Sequence, residues 1–145
     1  MDDIPTAVPG DFVFDEDKLT IPAKHVALVR SGLIAELHSA ANEICTAAEL
    51  AARETRYVRS RWQAAFAHLD SARSLLDVVG WHIDRKPHDV EVDLRAHHDA
   101  LLAGLHMQVE AERGHAESLP ADQHDQANTH IAALSDLIEQ AEEWS

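Results

Sequence analysis

Apolar residues recur along the middle of the chain at alternating intervals of three and four positions. A seven-residue repeat of this kind is typical of an α-helix that supercoils with partner helices. Because the phase is kept throughout, and no glycine or proline falls at residues 52–57, the pattern predicts one continuous helix over about residues 22–83, roughly 90 Å long. Its stripe reads Ile34, Leu37, Ala41, Ile44, Ala48, Ala51, Thr55, Val58, Trp62, Ala65, Leu69, Ala72, Leu76, Val79 and Ile83.

Two shorter helices are predicted beyond Pro87, over about residues 89–118 and, after the break at Pro120, over about 121–143. Residues 1–21 carry prolines, acids and the apolar run Phe12-Val13-Phe14, so they form either a docked, acidic, extended arm or a disordered leader. No strand-like alternation is evident outside that arm. The predicted fold class is therefore all-α, an elongated antiparallel helical bundle that occupies residues 22–145 as a single domain.

Composition restricts the classes of function. Apolar residues make up 46% of the chain, yet no apolar run approaches the roughly 20 residues of a membrane span. The net charge of −14 repels phosphates and so disfavours nucleic acid as a ligand. Cys45 is the single cysteine, which excludes an internal disulfide, and the acidic N-terminus is unlike a secretory signal. We expect a cytoplasmic protein, bacterial by its arginine- and alanine-rich composition, that binds neither membranes nor nucleic acid.

The long stripe also suggests how the protein works. Helices of the predicted lengths leave part of the stripe uncovered, and an apolar surface of that size favours self-association as a homodimer. Arginines are concentrated in the middle of the stripe, where they are either solvated or suited to an acidic segment of the arm or of a protein partner. The predicted interface residues are Ile34, Leu37, Ile44, Val58, Arg53, Arg56 and Arg59.

A metal site is the alternative interpretation. Carboxylate-bridged metal centres in helical bundles use Glu-x-x-His pairs that face the core, and the chain has one such pair, Glu112 and His115. His98 lies on the same predicted stripe as Glu112. The long helix offers no carboxylate on its own stripe, so a site for two metal ions would lack half of its ligands. The sequence thus predicts no cofactor, with a divalent metal on these three residues as the alternative.

A third hypothesis is a ribonuclease. Arg61 and His68 have a spacing similar to the arginine–six-residue–histidine motif of small helical ribonucleases of the HEPN type. The residue after the arginine, Trp62, belongs to the apolar stripe, whereas that family usually has a polar residue there. The five glycines are scattered and form no phosphate-binding loop. The favoured prediction is therefore a non-enzymatic helical protein that acts through self-association and protein–protein contacts, as an adaptor, regulator or structural component.

Overall fold

A computed structural model describes residues 6–8, 10–51, 58–82, 86 and 88–144. Within these ranges the chain forms a bundle of four helices with a small three-stranded sheet against it, so the predicted all-α helical bundle is confirmed. The elements in chain order are β1 (Val13–Asp15), β2 (Lys18–Ile21), α1 (Val26–Ala51), α2 (Val58–Val79), β3 (Val90–Asp93), α3 (Leu94–Glu117) and α4 (His124–Glu143). Single 3-10 turns precede α1 and α4.

The single long helix predicted over residues 22–83 is wrong. Helices α1 and α2 pack against each other, and Nε of Arg30 near the start of α1 donates to the carbonyl oxygen of Gly80, just past the end of α2, at 2.7 Å. The chain therefore reverses direction between Ala51 and Val58, although residues 52–57 themselves lie outside the described residues. Two amphipathic helices satisfy the same seven-residue pattern as one, and folding back lets each helix cover part of the other's apolar face.

Helix α2 ends at Val79, close to the predicted helix end at about residue 83. Gly80 has a φ of 100°, and its N–H donates to the carbonyl oxygen of Leu76 at 2.7 Å. Glycine is favoured at this position because the left-handed conformation that follows many helices is unfavourable for residues with a Cβ atom. The chain leaves α2 at Gly80. The hydrogen bond from Arg30 to the Gly80 carbonyl oxygen joins the end of α2 to the start of α1.

The sheet is the second correction, because residues 90–93 were predicted to lie in a helix. They form the strand β3, which pairs antiparallel with β2, and β2 in turn pairs antiparallel with β1. Val90 and Val92 are buried while Glu91 and Asp93 are exposed, a two-residue alternation typical of a half-buried strand. The carboxylate of Asp93 then accepts the N–H of Arg95 and caps α3, whose helix therefore begins at Leu94.

The core lies where α1, α3, α4, the end of α2 and the sheet meet. Helices α1 and α3 approach each other closely at Gly32 and Gly104, where a Cβ atom on either glycine would be too close to the neighbouring helix. Beyond Pro120, α4 packs against α3, as the predicted break implies. No helix among the described residues is both long and apolar enough to cross a bilayer.

Candidate interaction surface

The α1–α2 pair is unevenly covered along its length. At the start of α1 and the end of α2, the large side chains of Leu28, Leu33, Leu75 and Leu76 are buried in the core. Farther out, from residue 34 in α1 and before residue 75 in α2, the buried hydrophobic side chains among those described are alanines only. We call residues 34–51 and 58–74 the outer hairpin, in which most described side chains are half-buried or exposed.

Alanines fill the interior of the outer hairpin. Ala40 and Ala47 of α1, and Ala65 and Ala72 of α2, are each at most 2% exposed. Each pair is spaced by seven residues and so lies on one face of its helix. An alanine contributes much less hydrophobic stabilisation on burial than the roughly 1.5–3 kcal/mol of a leucine or phenylalanine. The outer hairpin is therefore weakly stabilised by contacts within its own chain.

Larger apolar side chains lie beside this interior instead of within it. Ile34, Leu37 and Ile44 of α1 and Leu69 of α2 are only half-buried, and Phe66 of α2 is 48% exposed. We call these five residues the apolar flank. Ile34 and Leu37 also pack against the main core, so the flank runs continuously from the body of the protein outward along the hairpin.

The other predicted interface residues fall where the chain turns. Val58 and Arg59 lie in the first turn of α2, with side chains outside the described part of the structure. Arg53 and Arg56 lie outside the described residues. The helices that flank the turn differ in charge: the outer part of α1 carries Glu36, Glu43 and Glu49 and no lysine or arginine, whereas the first three turns of α2 carry Arg59 and Arg61 and no acid.

Glu36 is a partly buried acid of the outer hairpin. Partial burial raises the pKa of its carboxyl group above the usual value, and the neighbouring charge of Glu43 acts in the same direction. His68 of α2 opposes both effects. A carboxylate that has lost part of its hydration is stabilised by a nearby positive charge.

The three predicted metal ligands are not brought together. His98 and Glu112 lie on the same helix, α3, roughly 21 Å apart at 1.5 Å per residue, which is too far for a shared ion. The His98 ring lies tilted against the Trp144 ring, with centroids 5.4 Å apart, and its Nε2 lies 2.7 Å from the carbonyl oxygen of Ala141. His115 is exposed, and no cluster of three metal-binding side chains occurs within the described ranges. Metal binding by the protein stays a prediction.

Glu112 has a different set of partners. Its carboxylate accepts a hydrogen bond from Nε2 of Gln108 at 2.8 Å and lies 3.7 Å from Nε2 of His130 in α4. The contact with His130 is the main cause that lowers the pKa of Glu112. On its other side, Nδ1 of His130 accepts the N–H of Ala7 at 2.8 Å. Sequence reasoning missed His130, which joins the N-terminal segment to α3 and α4.

Two acids of the N-terminal segment, Asp11 and Asp17, also have partners close by. Asp11 lies 2.8 Å from Nε2 of the fully buried His25 and 3.3 Å from Nζ of Lys24, while Asp17 pairs with Arg95 at 3.0 Å. These contacts hold the segment against the 3-10 turn before α1 and against α3.

The ribonuclease hypothesis rests on Arg61 and His68. Both residues belong to α2, where His68 is exposed and the side chain of Arg61 is outside the described part. That hypothesis stays untested. No protein-family model matches the chain, and comparison with the curated proteins and with the solved structures likewise gives no match.

Proposed function

We propose that the protein is non-enzymatic and acts through self-association, in which the outer hairpins of two copies pack against each other as a two-fold dimer. The observation that carries this proposal is the apolar flank. Five large apolar side chains remain half-buried or exposed along a hairpin whose interior contains only alanines among its described buried positions. Apolar surface that continues along one side of a projecting element is the usual mark of a protein interface.

Hydrophobic energetics favour a second copy as the occupant. Each leucine, isoleucine or phenylalanine that passes from exposed to fully buried contributes roughly 1.5–3 kcal/mol. Two hairpins that face each other form four antiparallel helices, an arrangement in which the large flank residues become the core. Because each copy offers an identical flank, one two-fold contact covers the flanks of both copies at once.

Charge supports the same partner. The acidic outer part of α1 and the basic start of α2 are complementary, so a two-fold axis that places α1 of one copy against α2 of the other pairs both sets of charges twice. Substituting Arg59 with glutamate should weaken the dimer, and the effect should diminish in high salt.

Sedimentation equilibrium at micromolar concentration tests the proposal. We expect a molar mass of about twice the 16.0 kDa of one chain, and the substitution Phe66→Glu should shift the protein to the monomer. Val13→Glu is the matched control, because Val13 is 55% exposed on β1, away from the hairpin, and should remain dimeric. A wild-type protein that sediments as a monomer at micromolar concentration would refute self-association. Equal molar masses for the two variants would show that the outer hairpin does not form the dimer contact.

A further inference from the structure

A pocket of about 400 Å³ opens at the opposite end of the α1–α2 pair from the hairpin turn. Its aliphatic wall is formed by Val26 and Ala27 of α1, Val78 and Val79 of α2, and Val90 of β3. The volume falls within the range of roughly 300–1,000 Å³ that is usual for small-molecule sites. None of these residues belongs to the apolar flank, so the pocket is separate from the proposed dimer contact.

Arg30 is the charged group of this pocket. It is only 7% exposed, and one of its five N–H groups, that on Nε, donates to the carbonyl oxygen of Gly80 at 2.7 Å. No carboxylate of the described residues lies within 4 Å of the guanidinium group. A buried cation without an ionic partner is costly, and the bound Gly80 oxygen offsets only part of that cost.

Two histidines line the pocket, and two carboxylates lie near it. His82 and His88 both contribute to its lining. Asp77 lies in α2 and Asp89 just before β3, and each carboxylate accepts a hydrogen bond from an N–H group of the protein. Asp77 accepts the indole N–H of Trp81 at 2.7 Å, and Asp89 accepts the N–H of Ala23 at 2.9 Å.

We propose that this pocket binds a small aliphatic carboxylate. The planar guanidinium group of Arg30 matches a carboxylate in a two-point hydrogen bond, and the valine side chains contact the hydrocarbon part. Inorganic phosphate or sulfate would satisfy the arginine but leave the aliphatic wall in contact with water. A neutral analogue of the same shape would satisfy the wall but leave the arginine without its counter-charge.

Isothermal titration calorimetry with hexanoate, hexanamide and inorganic phosphate tests the proposal on the full chain. Hexanoate should bind about 10- to 100-fold more tightly than hexanamide, the factor expected for a hydrogen bond to a charged group, and more tightly than phosphate. Absence of hexanoate binding, or equal binding of hexanamide, would overturn the proposal. Phosphate that binds as tightly as hexanoate would overturn the aliphatic part of the assignment.

Variants locate the binding. Arg30→Gln should weaken hexanoate binding by about 10- to 100-fold. Because that change also removes the contact with Gly80, Ala27→Trp serves as a second variant: it starts from an exposed alanine, fills the pocket and leaves Arg30 in place. Arg95→Gln is the control, since Arg95 is 77% exposed and pairs with Asp17 outside the pocket, and it should bind hexanoate like the wild type. Wild-type affinity in Ala27→Trp would overturn the proposal.

Discussion

The backbone of Gly32 in α1 lies directly against that of Gly104 in α3, so that a Cβ atom on Gly32 would overlap the carbonyl oxygen of Gly104. A Cβ atom on Gly104 would in turn lie 2.8 Å from Cδ2 of Leu33. Backbone atoms cannot move aside as a flexible side chain can, which makes the Gly32 position the stricter of the two. This crossing sets how closely the hairpin packs on the rest of the bundle.

Gly32→Ala should therefore destabilise the protein. Separating α1 from α3 to admit one methyl group is an overpacking change, for which we expect a loss of roughly 1–3 kcal/mol in the free energy of unfolding, measured by urea denaturation. Gly114→Ala is the matched control, because Gly114 also lies in α3 but has open space around it. There alanine should add up to about 1 kcal/mol through helix propensity. Equal effects of both changes would contradict the close crossing.

Acid should weaken the contact between Asp11 and His25. The hydrogen bond from His25 is the main cause that lowers the pKa of Asp11 from 3.8 to about 2, and Val8 and Lys24 contribute in the same direction. The unfolded chain then binds a proton more readily than the folded chain. The stabilisation is fully present above about pH 5 and is lost as the pH falls through about 2.

Asp11→Asn tests this assignment. Near pH 6 the variant should have a free energy of unfolding lower by roughly 1 kcal/mol, because solvent screening reduces the full effect of the pKa shift. The difference from the wild type should shrink as the pH is lowered from about 5 to about 2. Asp99→Asn, at a carboxylate that is 99% exposed, should follow the wild-type curve. A difference between Asp11→Asn and wild type that stays constant with pH would contradict the assignment.

The reversal between α1 and α2 gives a prediction for distance measurements. Spin labels at the native Cys45 and at Ala67→Cys should lie within roughly 20 Å of each other, since packed helices have axes about 8–10 Å apart. A continuous helix would separate the same positions by roughly 33 Å. Dilution with unlabelled Cys45→Ala protein removes contributions between chains. An interspin distance near roughly 33 Å would instead support a single continuous helix.

Local patterns predicted several elements well. Pro120 was predicted to separate the last two helices, and it does lie between α3 and α4, because proline acts on the backbone at its own position. The helix end predicted near residue 83 lies close to the observed end of α2 at Val79. The strand β3 was missed, since four residues of alternating Val-Glu-Val-Asp are too few to distinguish from a helix start. Only the pairing of β3 with β2 decides between the two.

The single long helix was predicted because the heptad pattern keeps its phase over the whole of residues 34–83. A heptad pattern states which face of a helix is apolar but does not state whether the partner is another chain or the same chain folded back. The predicted stripe also ran through Ala41 and Ala48, whereas Ala40 and Ala47 are the buried positions, so the true interior is displaced by one residue. That displacement leaves Ile44 half-buried on the flank.

The groups of chemical interest were harder to predict than the helices. Nothing in the sequence distinguishes Arg30 from the other arginines of the chain. Its hydrogen-bond partner, Gly80, is 50 residues away. His130 likewise gains its role from Ala7, at the other end of the sequence. Glycines in the middle of helices were the one available signal, because Gly32 and Gly104 each interrupt an otherwise favourable helical segment.

Pulsed electron paramagnetic resonance on protein labelled only at Cys45 tests self-association through the outer hairpin most directly. Cys45 is exposed on α1 next to Ile44, and it is the only cysteine in the chain. In a hairpin-mediated dimer, the two labels should give a defined interspin distance that disappears in the Phe66→Glu variant and persists in Val13→Glu. A wild-type signal without dipolar modulation, together with a molar mass near 16.0 kDa, would contradict the proposed dimer.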